Sequence, residues 1–388
     1  MTDSIVERAS GRDRERATDK ARDRIYNFSP GPAVLPLHVL REIQRDLLAY
    51  PGAGASILEI SHRSSTMDAI MAETEANLRG LLAIPANYRV LFMQGGARLQ
   101  FSMVPLNLLR GRKEPAQYIL TGSWGKMASE EATREGAVSV AWDGAATGYR
   151  RVPKPEELQI DPGAAYVHYT SNETIQGVQF GAEPEVGDAI LVCDSSSDFL
   201  SRPVAIERYG LLYACAQKNA GPAGLTLAII RDDVLEQCAP DLHSMLDYRQ
   251  YAESRSLLNT PPVFAIYVLM LITRWLRKEM GGLEGIAELN QRKARSLYEV
   301  LDAHPDFYLG HAQANSRSMM NVTFKLPDSE LEKRFLKEAE KRGLSQLKGH
   351  RSVGGVRASI YNAMPLEGVE ALRHFMTEFH KRALKSAE

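Results

Sequence analysis

The sequence has few of the features that mark a secreted, metal-binding or membrane-spanning protein. Only three of its 388 residues are cysteines, Cys193, Cys215 and Cys238, and none of them forms a CxxC pair. This usage favours a reducing compartment and small buried thiols over disulfides or a zinc site. The one long apolar run, 263–273, is too short to span a bilayer. No apolar segment of a secretory signal is present either, so we expect a cytoplasmic protein. From the cysteine pattern we expect no bound metal.

The chain also lacks an excess of charge of either sign. It contains 47 Lys and Arg against 48 Asp and Glu, a formal net charge of −1, with 44% hydrophobic residues. A nearly neutral chain gives no case for binding nucleic acid or an anionic membrane surface, so any anion specificity must come from local groups. The first residues differ from the rest, because they alternate charges and offer almost nothing to bury. We predict a disordered extension over 1–24.

The remaining pattern predicts an α/β fold with two domains. Short apolar runs alternate with helical segments up to about residue 281, and helical periodicity dominates from residue 282. We predict a large domain over 39–281, and a small α+β domain formed by 25–38 and 282–388. Predicted strands of the large domain cover 88–93, 117–121, 137–142, 164–169, 189–193, 211–216 and 225–230.

One lysine stands out, because Lys218 lies between the apolar runs 211–216 and 225–230. Burial of an ammonium is costly and is expected to depress its pKa, which an amine needs in order to act as a nucleophile or to form a Schiff base. The other interpretation is a lysine at a strand end that extends into solvent. On this stretch alone the two interpretations are equally supported.

The ends of other predicted strands carry further polar and aromatic groups. The turn 95–98 opens a helix and points free N–H groups at an anion, although it matches neither GxGxxG nor GxxxxGK[ST], so a dinucleotide or P-loop site is disfavoured. Trp124, Thr174 and Asp194 follow three other strands. For Trp124 alone, a role in capping the core is the plainer explanation, and each of these signals is weak individually. Together with Lys218 they are the parts needed to hold pyridoxal phosphate: a Schiff-base amine, an acid for the pyridine nitrogen, a stacking ring and a phosphate loop.

With these residues and the stretches around them, the sequence resembles the phosphoserine aminotransferase family. This family belongs to the class-V, fold-type-I enzymes that depend on pyridoxal phosphate. The resemblance extends from Tyr26 to about Phe379. It implies a mainly parallel central sheet flanked by helices, a smaller α+β C-terminal domain, and a homodimer with shared active sites. The stretches that carry it are 26–33, 59–64, 121–124, 170–175, 216–219, 259–262 and 349–365, and the last is the most specific.

The resemblance implies a role for each candidate residue of the cofactor site. Lys218 is expected to form the Schiff base with pyridoxal 5'-phosphate, and Asp194 to pair with the pyridine nitrogen. Residues expected to stack on the ring or to lie near it and its hydroxyl are Trp124, Thr174 and Gln217. Residues expected to reach the phosphate are Ala97 and Arg98 by their backbone N–H groups, and Asn259 and Thr260 from the neighbouring subunit.

The same resemblance implies the substrates, L-glutamate and 3-phosphohydroxypyruvate, which would react in a ping-pong cycle to give 2-oxoglutarate and O-phospho-L-serine. Arg357 is expected to bind the α-carboxylate. The distal anion is assigned to a cluster that comes partly from the second chain: His62, Arg63, His350 and Arg351. The sequence leaves open whether the 4-phosphohydroxythreonine pair of pyridoxine biosynthesis is also a substrate.

Two alternatives are weighed against this interpretation. One is another fold-type-I aminotransferase or lyase, which the two His-Arg pairs, at 62–63 and 350–351, disfavour. The other is a non-catalytic protein that binds the cofactor, which the set Asp194, Lys218 and Arg357 disfavours. Ser195 and Ala220 depart from the usual family pattern beside the cofactor, but neither removes a catalytic group.

Overall fold

The computed structural model describes residues 24–385, so the predicted extension lies outside the described residues except for Arg24. Over this range we find no helix with the length and apolarity that a membrane crossing requires. The helices are α1 (Leu37–Asp46), α2 (Ser65–Leu82), α3 (Gly96–Leu108), α4 (Ser123–Ala132), α5 (Asp232–Glu236), α6 (Tyr248–Glu253), α7 (Val263–Lys278), α8 (Gly282–Ala303), α9 (Ser329–Lys341) and α10 (Leu366–Lys385). The strands are β1 (Tyr26–Asn27), β2 (Tyr88–Met93), β3 (Ala116–Leu120), β4 (Val138–Asp143), β5 (Tyr166–Thr170), β6 (Asn172–Glu173), β7 (Val178–Gln179), β8 (Leu191–Asp194), β9 (Leu211–Cys215), β10 (Thr226–Arg231), β11 (Leu309–Gly310), β12 (Asn321–Lys325), β13 (Leu344–Ser345) and β14 (Val356–Ser359).

A seven-stranded sheet in the order β2-β10-β9-β8-β5-β3-β4 forms the centre of the fold. Strands β9, β8, β5, β3 and β4 pair in parallel, while β10 runs antiparallel to both β2 and β9. The predicted mainly parallel sheet is confirmed. Because the carboxyl ends of parallel strands meet at one edge, Thr170, Asp194 and Cys215 all lie at the edge where ligands bind in such sheets.

Both faces of the sheet are covered, which explains why its strands are continuous apolar runs. Along β9, Leu212 and Ala214 belong to the core beneath α2 and α7, whereas Leu211 and Tyr213 belong to the core beneath α3 and α4. Helix α7 contains the long apolar run and is buried along nearly its whole length. The run is therefore a core helix, which is consistent with the prediction.

A second sheet, β11-β12-β14, is antiparallel and lies with α8, α9 and α10 around a separate core. The first strand of the described chain, β1, pairs in parallel with β13, and Phe28 is buried in this second core. This joining of the N-terminal segment to the C-terminal part supports the proposed two-domain division. Its boundaries stay a prediction.

The most informative difference from the predicted elements is the start of α3. The sequence pattern begins this helix at Leu99, but the structure begins it at Gly96. Gly95 precedes it with a φ of 96°, a conformation that favours glycine, and a Cβ atom there would lie 2.4 Å from Leu99 Cδ2. The glycine turn therefore belongs to the helix N-terminus, and three more residues join its first turn.

Candidate active site

A cavity of about 320 Å³ opens at the carboxyl edge of the central sheet. The loops after β2, β3, β5, β8 and β9 surround it, and the loop before β14 adds a wall from the second core. Predicted site residues that line it are Ala97, Arg98, Trp124, Thr174, Asp194, Gln217, Lys218, His350 and Arg357. Predicted site residues that do not line it are His62, Arg63, Asn259, Thr260 and Arg351.

The Lys218 ammonium is held by two hydroxyl groups at the floor of this cavity. Its Nζ donates to Thr174 Oγ1 at 2.9 Å and to Ser197 Oγ at 2.7 Å, and those two oxygens are 2.5 Å apart. Nζ also lies 5.9 Å from the centroid of the Trp124 ring. The amine is thus fixed below the ring that would cover a flat ligand, which excludes the interpretation that it extends freely into solvent.

The expected depression of the Lys218 pKa is wrong for the chain as it stands. Desolvation lowers this pKa, but the negative potential of Tyr361, Cys215, Asp194 and Glu173 outweighs burial, and the pKa is raised. The sequence could not show how many acidic groups surround the amine. A cation placed beside Asp194 would weaken this effect, because it would compensate the same carboxylate.

Asp194 ends β8 and is buried against the cavity. Desolvation raises its pKa, while hydrogen bonding from Ser196 and the charge of Lys218 oppose the rise. Its Oδ1 accepts the Ser196 N–H at 3.0 Å, which fixes the carboxyl plane. A buried carboxylate with few donors is suited to a cationic partner such as a protonated ring nitrogen.

Glu173, which the sequence analysis did not single out, fixes the position of the indole. Its carboxylate accepts hydrogen bonds from the backbone N–H groups of Trp124, at 3.0 Å, and of Gly125, at 2.8 Å, at the N-terminus of α4. A Cβ atom at Gly122 would lie 2.6 Å from the Glu173 carboxyl carbon, so this glycine lets the acid approach. Desolvation raises the Glu173 pKa to about 7, against the two backbone N–H bonds that lower it.

The first turn of α3 presents unpaired donors to the same cavity. Gly96 N–H is already used by Thr226 Oγ1 at 2.7 Å, whereas Ala97 and Arg98 lie in the first turn, where backbone N–H groups have no acceptor within the helix. Both residues line the cavity. A helix N-terminus of this kind binds phosphate.

Several buried polar atoms facing this region have no partner within residues 24–385. They are Thr121 Oγ1, Trp124 Nε1, Thr170 Oγ1 and Arg357 Nε. Buried polar atoms normally find hydrogen-bond partners, so this group indicates a polar ligand. An amine, an acid, an indole and a phosphate cradle in one cavity fit pyridoxal phosphate.

The wall contributed by β14 carries two basic groups. Arg357 is 7% exposed, and desolvation lowers its pKa. Burial lowers the His350 pKa, as do the charges of Arg357 and Arg351. A second cavity of about 240 Å³ shares His350 and Arg357 with the first, and two further charged residues that line it, Arg150 and Lys325, are also basic. This side of the site therefore carries uncompensated positive charge that suits an anionic substrate.

The residues that the cavity leaves out lie at the surface of the chain. Asn259, Thr260, Arg63 and Arg351 are exposed, and His62 is half-buried. Arg63 Nε contacts His62 Nε2 at 3.4 Å, so this pair stays together away from the cavity. Their roles remain predictions, and those of Asn259, Thr260, His62 and Arg63 need a second subunit.

The sequence analysis missed Glu173, Ser196 and Ser197. A signal existed for each, because Glu173 lies in the quoted stretch 170–175 and the serines follow Asp194 directly. Serine and glutamate at strand ends are common on surfaces, however, and only the structure shows that Ser197 binds Lys218 Nζ, that Ser196 donates to Asp194 and that Glu173 holds the backbone of Trp124.

Comparison with known proteins agrees with this chemistry. The model of the class-V aminotransferases matches residues 25–372, so the chain belongs to that family and is a pyridoxal-phosphate-dependent transaminase. A phosphoserine aminotransferase of Laribacter hongkongensis is 56% identical over 358 residues, which cover 92% of this chain and 99% of the relative. The chain is thus a member of the phosphoserine aminotransferase family.

Solved structures give the same result. The phosphoserine aminotransferase of Bacillus circulans subsp. alkalophilus has a TM-score of 0.91 and 47% identity, covering 93% of this chain and 99% of that one. A pyridoxal-phosphate-bound phosphoserine aminotransferase from Trichomonas vaginalis has a TM-score of 0.86 and 39% identity, covering 91% and 100%. The fold-type-I architecture is confirmed.

Proposed function

We propose that this chain transfers the amino group of L-glutamate to 3-phosphohydroxypyruvate, giving 2-oxoglutarate and O-phospho-L-serine, as a step of serine biosynthesis. The observation that carries the proposal is one cavity with Lys218 bound by two hydroxyl groups at its floor and, at its wall, an Arg357 Nε that has no partner among residues 24–385. The first group suits amino-group chemistry, and the second suits a carboxylate.

The cofactor would be held by residues that line the cavity. Its phosphate would accept the Ala97 and Arg98 N–H groups, Asp194 would face the ring nitrogen, and the Trp124 indole would cover the ring. When bound, pyridoxal phosphate supplies an aldehyde that carries the amino group between the half-reactions and a ring that accepts electrons. The buried Asp194 carboxylate keeps that ring protonated.

Lys218 would move the proton during the reaction. Once the substrate amine has replaced it, the free Nζ lies within the cavity as a general base for the proton on the substrate Cα. Thr174 and Ser197 already bind this Nζ at hydrogen-bond distance, so both would orient its lone pair. Glu173 would act indirectly, by holding the backbone of Trp124.

Substrate recognition would divide between two ends. Arg357 offers a planar fork to the α-carboxylate that all four substrates share. His350 and Arg351, with His62 and Arg63, would bind the distal carboxylate or phosphate. A dianion there would raise the His350 pKa, opposing the lowering by its arginine neighbours.

We also propose a cytoplasmic homodimer whose active sites are shared. The three cysteines are free and buried, as expected of a protein kept in a reducing compartment. Exposed Asn259 and Thr260, and the His62–Arg63 pair, leave the chain with part of each anion site at its surface. Shared sites would join these residues to a neighbouring cavity.

The reaction is tested by a coupled assay with glutamate and either 3-phosphohydroxypyruvate or the keto acid of 4-phosphohydroxythreonine. We expect turnover with the first compound, and the second arm measures the breadth of the distal site. A preference for an unphosphorylated keto acid, such as pyruvate or glyoxylate, would overturn the proposal and favour another class-V activity.

Subunit sharing is tested by mixing two inactive variants, Lys218→Ala and Arg63→Ala. Random reassociation makes half the dimers mixed, and each mixed dimer contains one intact site if Arg63 serves the opposite cavity, so activity should return to about a quarter of wild type. The Lys218→Ala variant mixed with Lys218→Ala, Arg63→Ala is the matched control. No recovery in the first mixture would refute the sharing of Arg63.

A further inference from the structure

A second buried lysine lies outside the proposed machinery. Lys293, on α8, is fully buried, and its Nζ contacts four backbone carbonyl oxygens. They belong to Ile360 (3.0 Å), Tyr361 (2.8 Å), Asn362 (3.3 Å) and Met364 (3.3 Å). All four lie on the single turn between β14 and α10, so one ammonium holds the whole turn.

The cost of this arrangement indicates that it has a role. Within residues 24–385, Lys293 has no acidic partner, and desolvation lowers its pKa to about 7. Burial of an ammonium without a carboxylate partner is costly, because it removes the charge from water. A ring of carbonyl oxygens around one cation is also the arrangement by which proteins bind K⁺. The Lys293 ammonium thus occupies a site that a free monovalent cation could fill.

Two short connections lead from this turn to the catalytic lysine. The Asn362 N–H donates to Asn219 Oδ1 at 2.9 Å, and Asn219 directly follows Lys218. The Tyr361 hydroxyl donates to Pro30 O at 2.8 Å. Gly31, next in the chain, packs so closely that a Cβ atom there would lie 3.4 Å from Lys218 Cγ. Both connections start at residues whose carbonyls Lys293 holds.

The same turn also fixes the substrate side of the site. It follows β14 directly, three residues after Arg357. A shift of this turn would therefore move Arg357, which is proposed to bind the α-carboxylate, together with the residues that contact Lys218. Displacements of about 1 Å at such groups reduce rates strongly.

We propose that Lys293 is a positioning residue, a built-in cation that holds the 360–364 turn and thereby sets the relative positions of Lys218 and Arg357. The kinetic part of this inference rests on the proposed function. The cation part does not, because it concerns the carbonyl ring itself.

The test uses holoenzyme of Lys293→Ala and of Lys293→Met, with Arg292→Met, an exposed base on the same helix, as the control. In both Lys293 variants, kcat should fall roughly 10- to 100-fold, and KM should change by a smaller factor. The Arg292→Met control should have the kcat and KM of wild type. Hydrogen exchange of residues 360–364 should accelerate in the Lys293 variants only.

Potassium separates positioning from general destabilisation. In Lys293→Ala, KCl should raise the melting temperature by about 2–4 °C over tetramethylammonium chloride of equal ionic strength, and should restore part of kcat. Wild type and Lys293→Met, whose rings are filled, should not respond. Folded Lys293 variants with unchanged kcat, or with no K⁺ response in Lys293→Ala, would overturn the inference.

A further variant covers the case in which no Lys293 variant folds. Tyr361→Phe keeps the ring of carbonyl oxygens and removes the hydroxyl group, which donates to Pro30 O and also accepts from Asn321 Nδ2 at 3.3 Å, so kcat should fall at least severalfold while the fold survives. An unchanged kcat in this variant would then refute the connection to Lys218. Absence of transamination in wild type would instead refute the proposed function, and the K⁺ response of the melting temperature would still test the carbonyl ring.

Discussion

Arg357→Lys is the sharpest test of how the site recognises its substrates. Arg357 is nearly fully buried, lies on β14 opposite Thr323, and has an Nε without a partner in the part of the chain that the structure describes. Its planar fork can donate two parallel hydrogen bonds to one carboxylate. A lysine keeps the charge but presents a point donor on a flexible stem, so one of the two bonds is lost.

The size of the effect follows from this lost bond. A hydrogen bond to a charged group contributes about 1.5–3 kcal/mol. Losing one should therefore lower kcat/KM roughly 10- to 150-fold. Because every substrate carries the α-carboxylate, glutamate and phosphoserine should both lose activity by a similar factor. Half-reactions followed by the absorbance of the bound cofactor measure each substrate separately.

Arg351→Ala supplies the contrasting result. It should reduce the phosphoserine half-reaction far more than the alanine half-reaction, since alanine has no distal anion. Arg317→Lys is the matched control for Arg357→Lys, because Arg317 forms a bidentate pair with Asp302 away from the cavity. This control should leave all half-reactions unchanged. If Arg357→Lys affected only the phosphorylated substrate, the two ends would be assigned the wrong way round. Equal losses for alanine and phosphoserine in Arg351→Ala would remove Arg351 from the distal site.

Three further predictions concern the floor of the cavity. Lys218→Ala should abolish transamination and the Schiff-base absorbance; normal turnover would refute its role. Gly122→Ala should destabilise the protein by about 1–3 kcal/mol in urea unfolding, because the new Cβ would lie 2.6 Å from the Glu173 carboxyl carbon, and a neutral effect would contradict this packing. The Glu173 pKa is raised from 4.5 to about 7, so the folded apoprotein keeps a proton that the unfolded chain releases. The free energy of unfolding should therefore fall by about 3 kcal/mol, through Glu173 alone, as pH rises from about 4.5 to 7. Glu173→Gln should remove this pH dependence. Equal pH dependence in wild type and Glu173→Gln would refute the prediction.

Sequence alone predicted the elements whose packing is simplest. The strand 88–93 has the predicted bounds, because its apolar residues from Val90 to Met93 are buried on both faces and give a clear pattern. The sequence also predicted that the site residues lie at the ends of strands, since parallel strands align their carboxyl ends at one edge of the sheet. The start of α3 was not predicted, because the local pattern shows neither the left-handed conformation of Gly95 nor the close approach of Leu99 to it.

What sequence could not supply is the set of long-range contacts that give buried charges their properties. Lys293 lies 67 to 71 residues from its four carbonyl partners, and in the sequence it is one lysine in an amphipathic helix. The raised pKa of Lys218 has the same origin, because the four neighbours that raise it, Tyr361, Cys215, Asp194 and Glu173, come from four separate segments of the chain. Local patterns predict which residues are buried, but the sign of a pKa shift depends on which charges are buried together.

The two halves of the proposed chemistry have different structural requirements. Groups that act at the reacting carbon, Lys218 with its hydroxyl partners and Arg357, lie in one chain and are nearly complete there. Groups proposed for the distal anion are incomplete, since His350 reaches the cavity while Arg63 and Arg351 stay exposed. A common α-amino acid end needs only the first set, whereas the choice of a phosphate over a methyl group needs the second. We therefore infer that the groups acting at the reacting carbon belong to a single chain, whereas the cofactor phosphate and the distal anion of the substrate would both use residues of a second chain.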